Sequence, residues 1–124
     1  MKNSINELCK AAYENAVSKG FYENPPSIAE RIALIHSEAS EALECDRKEQ
    51  FCVANAKLGL SITNDEIFQN DYQRFVKETF EAELADIVIR VFDLAGSKGI
   101  DLESHILAKM RYNSLRPHKH GKKY

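Results

Sequence analysis

Glu38 with Glu41, and Glu83 with Asp86, form two short acidic pairs, each inside a segment with helical apolar periodicity. Three-residue spacing places both carboxylates of a pair on one side of a helix. Four such groups brought together inside a helical protein repel one another unless a divalent cation collects them. Oxygen-only ligand sets select hard ions, so Mg2+ or Mn2+ is the cofactor this pattern points to. One E-x-x-E is weak by itself, because any solvated helix face shows that spacing. The plain alternative is that both pairs make ion pairs with Arg31, Arg47, Lys77 or Arg90. Two pairs, each at the rim of an apolar stripe, favour a site.

A second constellation closes the chain. From Lys109 to Tyr124 there are six Lys/Arg and no Asp/Glu. Lys109 and Asn113 are four apart and share a helical face; Arg116, Lys119, His120 and Lys122 follow. Cations beside an acidic metal site suit phosphates bridged by a metal. The alternative is a solvated terminus. No G-x-S-x-G, P-loop, G-x-G-x-x-G or H-E-x-x-H competes. His36 and His105 each stand alone on a helix and read as structural or surface residues. A di-iron carboxylate bundle needs Glu-x-x-His pairs, and neither acidic pair has a His at that offset.

Those side chains need a scaffold, and 124 residues suit one domain, 1–124. Hydrophobic residues make up 44% and charged ones 29%, a soluble globular balance with a small core, which self-association would help. The net charge of −2 advertises neither nucleic acid nor membrane. Cys9, Cys45 and Cys52 form no C-x-x-C and read as free thiols of a reducing cytoplasm. No apolar run reaches the roughly 18 residues of a membrane span, and MKNSINELCK lacks a signal-peptide core.

Periodicity and capping predict an all-α chain of four helices, or five if the third is broken. The first spans Ser4 to Ser18 and stops at Gly20. Ser27 with Glu30 is a capping box that starts a second helix, Ile28 to Gln50. Residues 51–63 carry no clear pattern, with a break expected at Gly59. Thr63 with Glu66 offers another capping box for a third helix that reaches Gly96, with an interruption at Asn70–Asp71. Asp101 caps a fourth that continues to Leu115, before Pro117. On the second helix Ile28, Ile32, Ile35, Ala39, Ala42 and Leu43 form one stripe, predicted to be buried with the acids beside it. On the third, Val76, Phe80, Leu84, Ile87, Val91 and Leu94 form the main stripe. Val88, Ile89 and Phe92 widen it, a reason to expect a homodimer or larger assembly.

The segments IHSEASEALE, ELADIVIRVFDLAG and KMRYNSLRPHKHGKKY resemble the MazG-like nucleotide pyrophosphohydrolases of the all-α NTP pyrophosphatase superfamily, over Phe21 to the end. The K-x-x-x-N-x-x-R-P-x-x-H-G-K string is the most specific part. The family signature, E-E-x-x-E followed by E-x-x-D, falls on Glu38, Glu41, Glu83 and Asp86. The resemblance implies a four-to-five-helix bundle completed as a homodimer or homotetramer. It also implies Mg2+-dependent hydrolysis of nucleoside triphosphates between the α- and β-phosphates, of the house-cleaning type. The four acids would be the metal-holding and catalytic residues, and Lys109, Asn113, Arg116, Lys119, His120 and Lys122 the substrate-binding ones. Phe21 and Tyr22 are candidates for base contact. Two departures stand out: Ser37 replaces the first Glu of the signature, leaving the general base open with Glu44 as a stand-in, and residues 51–70 lengthen the gap between motifs. A relative acting on dUTP, dCTP or phosphoribosyl-ATP is the nearest alternative. A non-catalytic helical module whose basic tail binds nucleic acid or a protein partner is the alternative from another class.

Overall fold

In a computed structural model the chain is all-helical, described over residues 3–53 and 58–124. The order is α1 (Ile5–Ser18), α2 (Ile28–Arg47), α3 (Asp65–Phe75), α4 (Phe80–Ser97), α5 (Leu102–Ser114) and a 3-10 turn at His118–Gly121. No strand occurs among the described residues.

Capping chemistry fixes most helix starts. The Ser4 hydroxyl accepts from the Glu7 amide and the Asp101 carboxylate from the Ser104 amide. Ser27 and Glu30 exchange both bonds of a capping box, satisfying two amides that a helix start leaves without partners. Gly20, at φ 86°, closes α1 with the paired bonds Gly20 N–H to the Val17 carbonyl and Phe21 N–H to the Ala16 carbonyl.

Three boundaries differ from the sequence expectation. First, α2 stops at Arg47 rather than Gln50. The same paired bonds form there, Glu49 to Asp46 and Gln50 to Cys45, with Glu49 itself taking the left-handed conformation at φ 55°. No glycine marks this stop, so the sequence gives no warning of it. Second, α3 is capped by Asn64, whose side chain accepts from the Ile67 amide, and not by Thr63. Third, the helix runs unbroken through Asn70–Asp71 and breaks at residues 76–79 instead. Thr79 starts α4 there: its hydroxyl donates to the Val76 carbonyl and accepts from the Ala82 amide. Gly59 does lie in a turn, at φ 74°. Residues 54–57 of the stretch without clear pattern lie outside the described residues.

The chain divides into two compact units, Pro26–Val91 and Met1–Pro25 with Phe92–Tyr124. In the second of these the starts of α1 and α5 clasp one another. The Ile5 amide donates to Glu103, the Glu103 amide to the Asn6 side-chain oxygen, and the Asn6 amide nitrogen to Asp101 at 2.8 Å. Gly96 lets α4 approach α1 closely: a Cβ there would sit 2.5 Å from the Cys9 carbonyl oxygen. Tyr22 stacks edge-on against Tyr13 and donates to Asp93.

In the Pro26–Val91 unit, the chain leaving α2 ties down the start of α4. The Phe80 amide donates to the Gln50 carbonyl at 2.8 Å and the Cys52 amide to the Glu81 carboxylate at 2.7 Å. Phe51 and Phe80 meet edge-to-face.

Burial on α2 is the reverse of the expected pattern. Arg31, Glu38, Ala42 and Cys45, spaced by seven, four and three, are the buried positions. Of the predicted stripe only Ala42 is buried; Ile28, Ile32, Ala39 and Leu43 are exposed and Ile35 is half-buried. On α4, Leu84 of the main stripe is exposed while Glu83 is buried. The rest of that stripe packs as expected, with Val76 buried and Phe80, Ile87, Val91 and Leu94 half-buried; it is on α2 that hydrophobicity alone assigned the faces to the wrong surroundings.

Candidate metal centre

The buried face of α2 and the first turns of α4 bring three of the four acids together. Glu38, Glu83 and Asp86 each offer an oxygen, and these oxygens all lie within 4.8 Å of one another. Glu38 and Glu83 are each only 8% exposed, whereas Asp86 opens to solvent. The geometry follows from spacing: Glu38 shares its face with Ala42 and Cys45, while Glu83, Asp86 and Arg90 project from one side of α4. Glu41 lies outside this trio. It is exposed, yet it shares hydrogen bonds with both Glu38 and Glu83.

Electrostatics fixes how protons are shared. Burial pushes Glu38 up, but hydrogen bonds from Arg90 and Glu41 and the Arg90 charge overcome this and hold it below the ordinary carboxylate value. The Arg90 Nε donates to Glu38 Oε1 at 2.6 Å. Glu41 is raised by its hydrogen bond to Glu38 and by that group's charge. Glu83 is pushed up to about 7, first by burial and then by the charge of Glu41. Asp86 is raised by burial and by Glu38, against the opposing pull of Arg90. Arg90 thus balances the charge of Glu38, while Glu41 and Glu83 are both raised by the acids around them. One oxygen stands apart: Glu83 Oε2 is buried with no hydrogen-bond partner.

These features fit a hard divalent cation. A buried carboxylate oxygen without a donor is costly, and a cation would satisfy it. Mg2+ holds oxygens at about 2.1 Å, so its ligand oxygens stand roughly 3 to 4 Å apart, a separation the trio reaches with small side-chain adjustments. Binding would also oppose protonation of Glu83 and Glu41, whose carboxyls are raised without it.

Ion pairing does occur, as the plain alternative expected, but only in part: Arg90 takes Glu38, and Arg47 pairs with Glu44 rather than with either acidic pair. Glu44 also pairs with Lys48 and is exposed. Ser37 is exposed.

Sequence reasoning passed over two neighbours of the cluster. The Cys45 thiol is buried and raised, by burial and by the Glu83 and Glu78 charges. Its spacing of seven from Glu38 and four from Glu41 was the available signal. The Tyr72 hydroxyl is likewise raised, by burial and then by Asp86; it arrives from α3, and no linear spacing announces it.

The basic residues lie in the other unit. Lys109 and Asn113 are on α5, with the Lys109 ammonium 5.3 Å and the Arg116 guanidinium 5.8 Å from the centre of the Tyr112 ring. Asn113 is half-buried, and its Oδ1 has no hydrogen-bond partner. Lys119 and His120, in the 3-10 turn, both adopt left-handed backbone angles, and Lys122 follows the turn. Phe21 is 70% exposed, whereas the Tyr22 hydroxyl is engaged by Asp93. The three cysteines are free thiols, and no helix among the described residues is long and apolar enough to cross a membrane. Comparison with models of known protein families, with curated proteins and with solved structures finds no match to this chain.

Proposed function

We propose that this chain is a MazG-like, Mg2+-dependent nucleoside triphosphate pyrophosphohydrolase that cleaves between the α- and β-phosphates, releasing monophosphate and pyrophosphate. The carrying observation is the convergence of Glu38, Glu83 and Asp86, with a buried Glu83 oxygen left without a donor. The motif resemblance supplies the reaction. In this reading Glu38, Glu83 and Asp86, joined by Glu41, hold the ion, with Mn2+ as its substitute. The reading includes a cytoplasmic hydrolase assembled as a homodimer or homotetramer.

When bound, the ion would neutralise phosphate charge and lower the pKa of a water. The chain's own residues do the rest. Glu41, exposed beside the trio, would serve as the base that takes a proton from water in its ionised form. Arg90 keeps Glu38 ionised and ready to ligate. The motif resemblance assigns the phosphates to Lys109, Arg116, Lys119, His120 and Lys122, whose positive charge suits them, and the unpartnered Asn113 oxygen can take a donor.

Pyrophosphate release from a panel of canonical, deoxy and modified triphosphates, with Mg2+ and with excess chelator, tests the reading. Turnover should require Mg2+. Glu41→Gln and Asp86→Asn should each abolish it while leaving the helical signal unchanged. Turnover in chelator would overturn the metal role. No turnover on any triphosphate, with nucleic acid held in a steeply salt-dependent way, would favour the non-catalytic module.

A further inference from the structure

We infer that Arg90, anchored through Nε to Glu38, is a substrate-contacting residue whose two terminal nitrogens take the phosphates of the nucleotide at the edge of the acidic cluster. This rests on the reading of the site proposed above, and adds to it a residue that the resemblance does not assign. Every group it uses lies in the Pro26–Val91 unit, so it draws on nothing in α5 or in the chain after it.

Position is the first observation. Glu83, Asp86 and Arg90 fall within one sector of α4 about 60° wide, at about 100° per residue. Side chains on a helix lean toward its N-terminus. The long Arg90 side chain therefore leans back toward Asp86 and Glu83, the acids that precede it. It is held there by α2: Arg90 Nε donates to Glu38 Oε1 at 2.6 Å. That bond fixes the guanidinium at the rim of the trio.

The use made of the guanidinium is the second. Arginine carries five N–H donors in a planar fork, and a carboxylate that needs only a counter-ion is commonly met by two of them side by side. Here the single Nε bond is all that holds it: among the described residues Arg90 makes no other hydrogen bond or ion pair. Nη1 and Nη2 keep their donors. The Arg90 side chain is 40% exposed, against 10% for that of Glu38. Asp86 feels the Arg90 charge, which pulls against the rise that burial causes, yet no ion pair joins the two.

Charge gives the arrangement its purpose. Glu38, Glu41, Glu83 and Asp86 together repel a polyanion, and one divalent cation offsets only part of that repulsion. A triphosphate at this cluster needs a positive group that meets the acids and the phosphates at once. A guanidinium can do both, because its charge is spread over a fork matched to phosphate oxygens. Nε stays with Glu38, and the Nη pair is open to phosphate. A lysine ammonium is a point charge without that fork.

The test uses the full chain and two probes, Mn2+ alone and inorganic tripolyphosphate with Mn2+, so that base preference does not enter. Titration calorimetry of the wild type should show both binding. Arg90→Gln removes a positive charge beside the site, so it should bind Mn2+ alone at least as tightly as the wild type. It should hold tripolyphosphate about 10- to 100-fold more weakly, the cost of losing a charged hydrogen bond. Because Arg90→Gln leaves Glu38 without its partner and risks unfolding, Arg90→Lys is measured beside it. Arg90→Lys keeps a cation for Glu38; it should keep the helical signal and the Mn2+ affinity, and still bind tripolyphosphate about 10-fold more weakly for want of the fork. Tripolyphosphate held equally by the wild type and both variants would overturn the inference while leaving the metal centre standing. Equal loss of Mn2+ and tripolyphosphate from a folded variant would also overturn it, making Arg90 a prop for Glu38 alone. A wild type that binds neither probe would overturn the reading of the site, and this inference with it.

Discussion

Glu83 is the residue on which the acidic cluster turns, because its carboxyl is raised to about 7 in the folded chain. Its unfolded value is near 4.3, so the folded state binds the extra proton between those limits. Stability therefore falls as pH rises through this window. Glu41 and Asp86, also raised, act in the same direction. Glu38, which is lowered, acts oppositely but only below the ordinary carboxylate range. Asp101, held at about 2 by its bonds from Asn6 and Ser104, loses its contribution only in stronger acid. In chelator, thermal melting should therefore show a higher Tm at pH 5.5 than at pH 7.5, by roughly 5 °C. Saturating Mg2+ at pH 7.5 should restore the difference. A Tm independent of pH across this range would remove the case for mutual repulsion among the acids.

Substitution at the same residue separates repulsion from ligation. Glu83→Gln keeps the shape and removes the charge, so in chelator at pH 7.5 it should melt higher than the wild type. It should also lose Mn2+, with affinity by titration calorimetry falling by more than the roughly 10- to 100-fold typical of outer-shell partners. A variant stabilised without metal and indifferent to metal is hard to obtain from a merely structural acid.

At the scale of the elements, the helix starts were legible because capping side chains act within three residues, as Ser4, Ser27 and Asp101 show. The α2 stop and the break at residues 76–79 were hidden because they rest on a left-handed Glu49 and on a Thr79 hydroxyl facing both ways, neither of which has a fixed linear sign. The acidic pairs were legible from their spacing. Arg90 as partner of Glu38 was foreseen only as an alternative to a site, not as part of one. Tyr72 was invisible because its approach depends on how α3 packs. Gly96 gives the sharpest element-scale prediction. Gly96→Ala gains about 1 kcal/mol of helix propensity, but its methyl group would meet the Cys9 carbonyl at 2.5 Å and Tyr13 Cβ at 2.9 Å. Backbone cannot yield as a side-chain end does, so overpacking wins, with a net loss of about 1 to 3 kcal/mol by urea unfolding. A stabilised variant would mean that α1 and α4 are not packed this closely.

At the scale of the whole molecule, the burial on α2 sets its acidic face against its own apolar stripe. The helix turns Glu38, Ala42 and Cys45 toward its own unit and leaves Ile28, Ile32 and Leu43 outward. A single chain thereby uses its interior for a charged centre and displaces apolar burial to its exterior, a costly arrangement unless the exterior is covered. The stripe was legible in the sequence as a face, but which face of α2 packs inward depends on the elements it meets, so its burial was assigned to the wrong side. If the chain assembles as the homodimer of the proposed reading, with folding and association one event, the melting temperature must depend on protein concentration. For two chains of this length, with an unfolding enthalpy near 0.7 kcal/mol per residue, a tenfold dilution should lower Tm by roughly 3 °C. A free chain that melts at one temperature from micromolar to millimolar concentration would be a monomer able to fold around a carboxylate centre with no cover for its apolar face.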